Sequence, residues 1–266
     1  MKKIISTIVF FIFVFPAFVS AGEYLLEKGK GVEICEAYKK DMETLKIPDS
    51  LMCQIWMWGD SKYEFSKDFK RLVWKKLDLK KKKNRELYRQ YLNYTSGSTL
   101  YNNNETLDRE IENRNYRGQE SDLYVASIDL DNDGKKENVL LYRQGFCPDR
   151  EVFLAKMFIL RNDCTMIDTN HPIQKLLDRD IEMILHGAKP NRAVHVFQYK
   201  NRAYIGKYCG DLGSGIRKQV EYWRSKGKDD DIKNYNRSGC REDNTLSVYS
   251  ISNGAMEEVC KYQYKN

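Results

Sequence analysis

The chain has 266 residues, 45 lysines and arginines against 38 aspartates and glutamates, and a formal net charge of +7. A balance this mildly basic, without basic residues interleaved with stacking aromatics, argues against a nucleic-acid binder. The length suits one domain of moderate size or two small ones.

Residues 1–21 read as a secretory signal peptide, with MKK as the positive start, IISTIVFFIFVF as the apolar centre and VSA at Val19 to Ala21 as the cleavage signal. The run falls short of the roughly 20 apolar residues a membrane span needs, and Pro16 interrupts it. Loss of Lys2 and Lys3 with this segment takes the charge from +7 to +5. No cysteine sits just after the expected cut, which argues against a lipoprotein anchor, and no later stretch is apolar enough to cross a bilayer. The expected location is therefore periplasmic or secreted.

Two regions follow. Residues 22–118 read as mainly helical. In GVEICEAYKKDMETL the less polar Cys35, Tyr38, Met42 and Leu45 recur at helical spacing, and Pro48 closes the segment. FSKDFKRLVWKKLD is expected to be a second short helix or a helical turn, with Ser66 as its cap. NRELYRQYLNY forms a third, with Leu87, Tyr91 and Tyr94 on one face. The polar stretch from Thr95 to Glu120 reads as a connector.

In residues 119–266 the periodicity becomes strand-like and predicts three hairpins. DLYVASIDLDNDGKKENVLLYR turns through an acidic loop. RAVHVFQYKNRAYIGKY turns at Lys200 and Asn201, and TLSVYSISNGAMEEVCKYQY at Asn253 and Gly254. EVFLAKMFIL is expected to be a buried strand and IQKLLDRDIEMIL a helix packed on the sheet. The expected class is α+β: a helical N-terminal region followed by a mainly antiparallel sheet built from hairpins and braced by disulfides.

All seven cysteines lie after the signal, where oxidising conditions favour disulfides. Cys35 with Cys53 is the first expected pair, because the helix and turn between them can fold back, and Cys240 with Cys260 is the second. Cys147 with Cys164 is disfavoured, since a ten-residue strand at about 3.3 Å per residue would hold the ends about 33 Å apart. One thiol is left over.

The acidic loop DLDNDGKKEN places Asp129, Asp131 and Asp133 at loop positions one, three and five, with Gly134 permitting the bend. Lys135 would offer its backbone carbonyl at position seven and Glu137 a carboxylate at position nine, while Asn132 would point outward. A hard cation such as calcium takes about six to eight oxygens, and a loop of this kind supplies them by wrapping inward. The stretch resembles the DxDxDG calcium loops of FG-GAP and VCBS repeat proteins, which join two β-strands. It departs from the EF-hand pattern, having Leu140 where the bidentate glutamate would stand. The alternative is an Asp-rich turn that forms without an ion, its charge offset by Lys135 and Lys136. A bound calcium would staple a hairpin; it would not catalyse.

ICEAYKKDM, MCQIW, FSKDFKRLVWKKLD and TLSVYSISNGAMEEVCKYQY together resemble uncharacterised exported proteins of Gram-negative bacteria. That resemblance implies an envelope location and no particular activity.

The basic run KKLDLKKKKNR, Lys75 to Arg85, suits either an anionic envelope component or an ordinary solvated surface. No catalytic constellation assembles. His171, His186 and His195 fit structural roles, Ser214 lacks the GxSxG elbow, and carboxylate pairs such as Asp229 and Asp231 are too common to single out. The expected function is a non-enzymatic exported protein that binds a protein partner or envelope component, with a structural calcium site. The alternative is a secreted hydrolase with an unrecognised active site.

Overall fold

The computed structural model describes residues 23–46, 64–116, 121–144, 154–181, 192–209, 222, 224–228 and 245–265. The signal segment lies outside these residues. So do Cys53, Cys147 and Cys240, His186, Ser214, Asp229 and Asp231.

The three expected hairpins are present, each for a local reason. Strands β4 (Ser121–Ile128) and β5 (Glu137–Gln144) pair antiparallel across the acidic loop. Strands β7 (Arg192–Tyr199) and β8 (Arg202–Cys209) turn through Lys200 and Asn201, both at positive φ, 48° and 64°. Strands β9 (Thr245–Ser252) and β10 (Ala255–Lys265) turn through Asn253 and Gly254, at φ 52° and 70°. Two successive positive φ values match the right-handed twist of flanking strands, and asparagine and glycine reach them at low cost.

With β6 (Leu154–Leu160), these strands join β1 (Glu23–Lys28), β2 (Phe69–Arg71) and β3 (Lys75–Lys76). The strand order is β1-β10-β9-β8-β7-β6-β5-β4-β3, with β2 alongside β7. Every pairing is antiparallel except β6 with β7, which meet in parallel through Leu154 and Arg192. Parallel neighbours require a crossover, and helix α4 (Pro172–Leu176) with the π-helical turn Leu177–Ile181 lies within it. The thin joint divides the sheet into two antiparallel halves. The class is thus α+β, as expected.

The N-terminal region is helical only in part among the described residues, with strands β1, β2 and β3 set among its helices. FSKDFKRLVWKKLD is not a helix: it supplies β2 and β3. Phe69 stands opposite Tyr199 in the β2–β7 register and buries its ring among aromatic neighbours, 4.7 Å from Tyr199 and 5.6 Å from Tyr38. Ser66 starts no helix, the element that follows it being β2, and its backbone N–H donates to Asp41 Oδ2 at 2.7 Å. The connector expected over 95–120 contains a 3₁₀ turn, Leu100–Asn102, and helix α3, Asn104–Tyr116. Asn103 starts α3 by accepting from the N–H groups of Glu105 and Thr106 at 2.8 and 3.3 Å. Leu107 seats the helix, fully buried.

Helices α1 (Glu33–Thr44) and α2 (Lys82–Ser96) form where the periodicity places them. Cys35, Tyr38 and Met42 bury one stripe of α1 against β1, β7, β8, β9 and β10. Leu87, Tyr88, Tyr91 and Leu92 bury α2 against β4, β5 and β6. A third cluster joins α4 to both halves of the sheet, from Val139, Met157 and Ile159 to Val196, Ile205 and Ile251.

A disulfide joins Cys35 to Cys260, with Cα atoms 5.6 Å apart across 225 residues of sequence. Both expected pairs are therefore overturned, since each had claimed one of these cysteines for another partner. The reason is long-range: Cys260 faces the buried stripe of α1, and the Tyr262 hydroxyl next to it donates to the Cys35 carbonyl at 2.9 Å. Cys209 is disulfide-bonded as well, and Cys164 is a free thiol.

Candidate metal site

The β4–β5 register closes at Ile128 opposite Glu137, so residues 129–136 make the loop. Leu130 plugs it into the apolar core, 1 % exposed. Asn132 and Gly134 adopt positive φ, 61° and 93°, and these two residues wind the chain back on itself. The carboxylates then fold onto loop amides. Gly134 N–H donates to Asp129 Oδ2 at 3.0 Å, Asp133 N–H to Asp131 Oδ1 at 3.3 Å, and Leu130 N–H to Glu137 Oε2 at 2.7 Å.

This winding brings Asp129, Asp131 and Glu137 together, with one oxygen of each within 4.8 Å of the others. All three are half-buried. Asp129 Oδ1 is itself buried and has no hydrogen-bond partner among the described residues. Leaving such an acceptor unsatisfied is costly, and a charged acceptor more so. Burial pushes the Glu137 carboxyl above the usual carboxylate range; the Leu130 N–H opposes this, while the charges of Asp131 and Asp129 add to it. Three carboxylates crowded in this way favour a cation between them.

Asp133 stands apart from the converging set. It is exposed at the loop tip, where its Oδ1 accepts from the Lys135 N–H at 2.7 Å and its Oδ2 lies 4.0 Å from Lys135 Nζ. Lys135 is exposed, as is Lys136. Asn132 does not point away from the protein as expected: its side chain engages Ala203 and Ile251 in the other half of the sheet. A single polar residue in a loop carries no local signal for partners that distant.

The other candidates take structural places. His171 accepts from Ile173 N–H through Nδ1 at 3.3 Å and caps α4. His195 is 2 % exposed inside the sheet, and burial pushes its pKa down to about 3. In the basic run, Lys76 pairs with the buried Asp122 at 2.8 Å, and Lys80, Lys81, Lys82 and Lys83 are exposed at the start of α2. Among the described residues no helix is long and apolar enough to cross a membrane. The chain matches no family model, curated protein or solved structure.

Proposed function

We propose that this is an exported, non-enzymatic protein of the cell envelope, and that its β4–β5 loop holds a structural calcium ion. The observation that carries the metal reading is the buried, unpartnered Asp129 Oδ1, set among the converging oxygens of Asp131 and Glu137. A cation there would satisfy that oxygen and relieve the repulsion that burial intensifies. The donors are hard oxygens without sulfur or nitrogen, the chemistry that suits calcium, magnesium or manganese rather than zinc or copper. The loop is wound from its own side chains and open to solvent at Asp133, so that water can enlarge the oxygen set, which suits calcium better than the smaller, more strictly octahedral magnesium. Waters and the exposed Asp133 would complete the coordination. The ion's role is to fix the hairpin, while the partner is a protein or an anionic envelope component met elsewhere on the surface. Export is supported by the Cys35–Cys260 disulfide and by the second disulfide at Cys209, since such bonds persist outside the reducing cytoplasm.

Calorimetry and thermal melts of the chain from residue 22 onward test this. Calcium should bind with one site per chain and raise Tm, contributing about 2.7 kcal/mol at a hundredfold excess over Kd. Asp129→Asn and Asp131→Ala should each abolish the shift. An undiminished shift in both variants, or none in the unaltered protein, removes the reading.

A further inference from the structure

The β8–β9 ladder ends at Ile205 opposite Tyr249. Two residues further along each strand the same register would set Ala203 against Ile251, and there Asn132 takes the place of a peptide group. Its Oδ1 accepts from the Ala203 N–H at 2.7 Å. Its Nδ2 donates to the carbonyls of Ala203 and Ile251 at 3.4 and 3.5 Å. Ala203 and Ile251 are each 1 % exposed, so these backbone groups need a partner from the protein. Only a carboxamide offers an acceptor and two donors in one plane, and asparagine also tolerates the φ of 61° found here.

Asn132 is flanked in sequence by Asp131, one of the three converging carboxylates. We infer that Asn132 is a positioning residue that couples cation binding in the β4–β5 loop to closure of β8 on β9, and so joins the two halves of the sheet. The inference rests on the cation reading above. Drawing Asp129 and Asp131 inward fixes the backbone between them and the sheet-facing carboxamide. Released, the carboxylates repel and the carboxamide loses its fixed aim. Linkage makes the effect reciprocal: a carboxamide already anchored on Ala203 holds the loop ready for the ion.

Hydrogen exchange at the Ala203 amide, with and without calcium chloride, tests the coupling beside calorimetry on the same samples. In the unaltered protein calcium should slow this exchange about tenfold. Asn132→Gly keeps the backbone conformation accessible; it should bind calcium about tenfold more weakly and show no calcium-dependent protection at Ala203. Asp131→Asn should bind no calcium and exchange like the calcium-free protein. Calcium binding to the unaltered protein without any change at Ala203 overturns the coupling and leaves the metal site standing. Undiminished affinity and protection in Asn132→Gly does the same. No calcium binding to the unaltered protein overturns both.

Discussion

His195 and Gly206 face each other across the β7–β8 ladder, and the imidazole fills the space that a side chain at 206 would need. A Cβ added to Gly206 would lie 2.0 Å from His195 Nε2 and 2.6 Å from its Cδ2, closer than any real contact. The glycine is therefore there for close packing. Gly206→Ala should destabilise the fold by about 1–3 kcal/mol, read from the midpoint of urea unfolding. The double variant with His195→Ala should cost less than the sum of the two single changes. Strict additivity would show that the two residues do not share this space.

The same burial makes His195 an acid-sensitive point. Its folded pKa is about 3, well below the ordinary value of 6.5, because the interior disfavours the charged ring. Above about pH 6.5 both folded and unfolded chains carry it neutral, and its stabilising effect is complete. Between that pH and about 3 only the unfolded chain takes up the proton, so stability falls on acidification by up to about 1.4 kcal/mol per pH unit. His195→Leu should flatten this part of the urea-midpoint profile between about pH 6 and 4. Parallel profiles for the two proteins would show that another group controls the slope.

Glu137 works with the opposite sign. Its folded pKa is raised, by burial first and by Asp131 and Asp129 in addition, against the pull of the Leu130 N–H. In the calcium-free protein its contribution is favourable below the unfolded carboxylate pKa and is lost as pH rises through the folded value. A cation cancels that loss. The calcium-dependent gain in Tm should thus be larger at pH 7 than at pH 5, and the difference should shrink in Glu137→Gln. A calcium gain independent of pH would place the ion away from Glu137.

What could be read from sequence divides by range. The turns at Lys200–Asn201 and Asn253–Gly254 were readable because positive φ is a local demand that only a few residues meet cheaply. Helices α1 and α2 were readable from one buried stripe each. Strand β2 was not, because Phe69 is held by Tyr199 and Tyr38, and those contacts outweigh local preference. Helix α3 was hidden by its polarity: Leu107 is a fully buried anchor in a mostly polar sequence, and the asparagine cap at 103 was the available signal. In the loop, the DxD spacing placed Asp129 and Asp131 and the return strand brought Glu137 to them. Asn132 answers to Ala203 and Ile251, 71 and 119 residues away, and no local pattern encodes that.

The disulfide between Cys35 and Cys260 lies in the aromatic core, with both cysteines fully buried. It closes 225 residues of sequence, a span over which a cross-link restricts the unfolded chain strongly. The double variant Cys35→Ala with Cys260→Ala should lose about 2–5 kcal/mol of stability, measured by urea unfolding without reductant so that the bond at Cys209 stays intact. The fold should persist, because Tyr38 still packs on Phe197 and Tyr262 at centroid distances of 5.5 and 5.6 Å. Hydrogen exchange should then localise the loss to α1 and the β1–β10 pair, the elements the bond draws together. A loss that spares α1 and the β1–β10 pair would show that the bond, beyond restricting the unfolded chain, has no local role in seating α1.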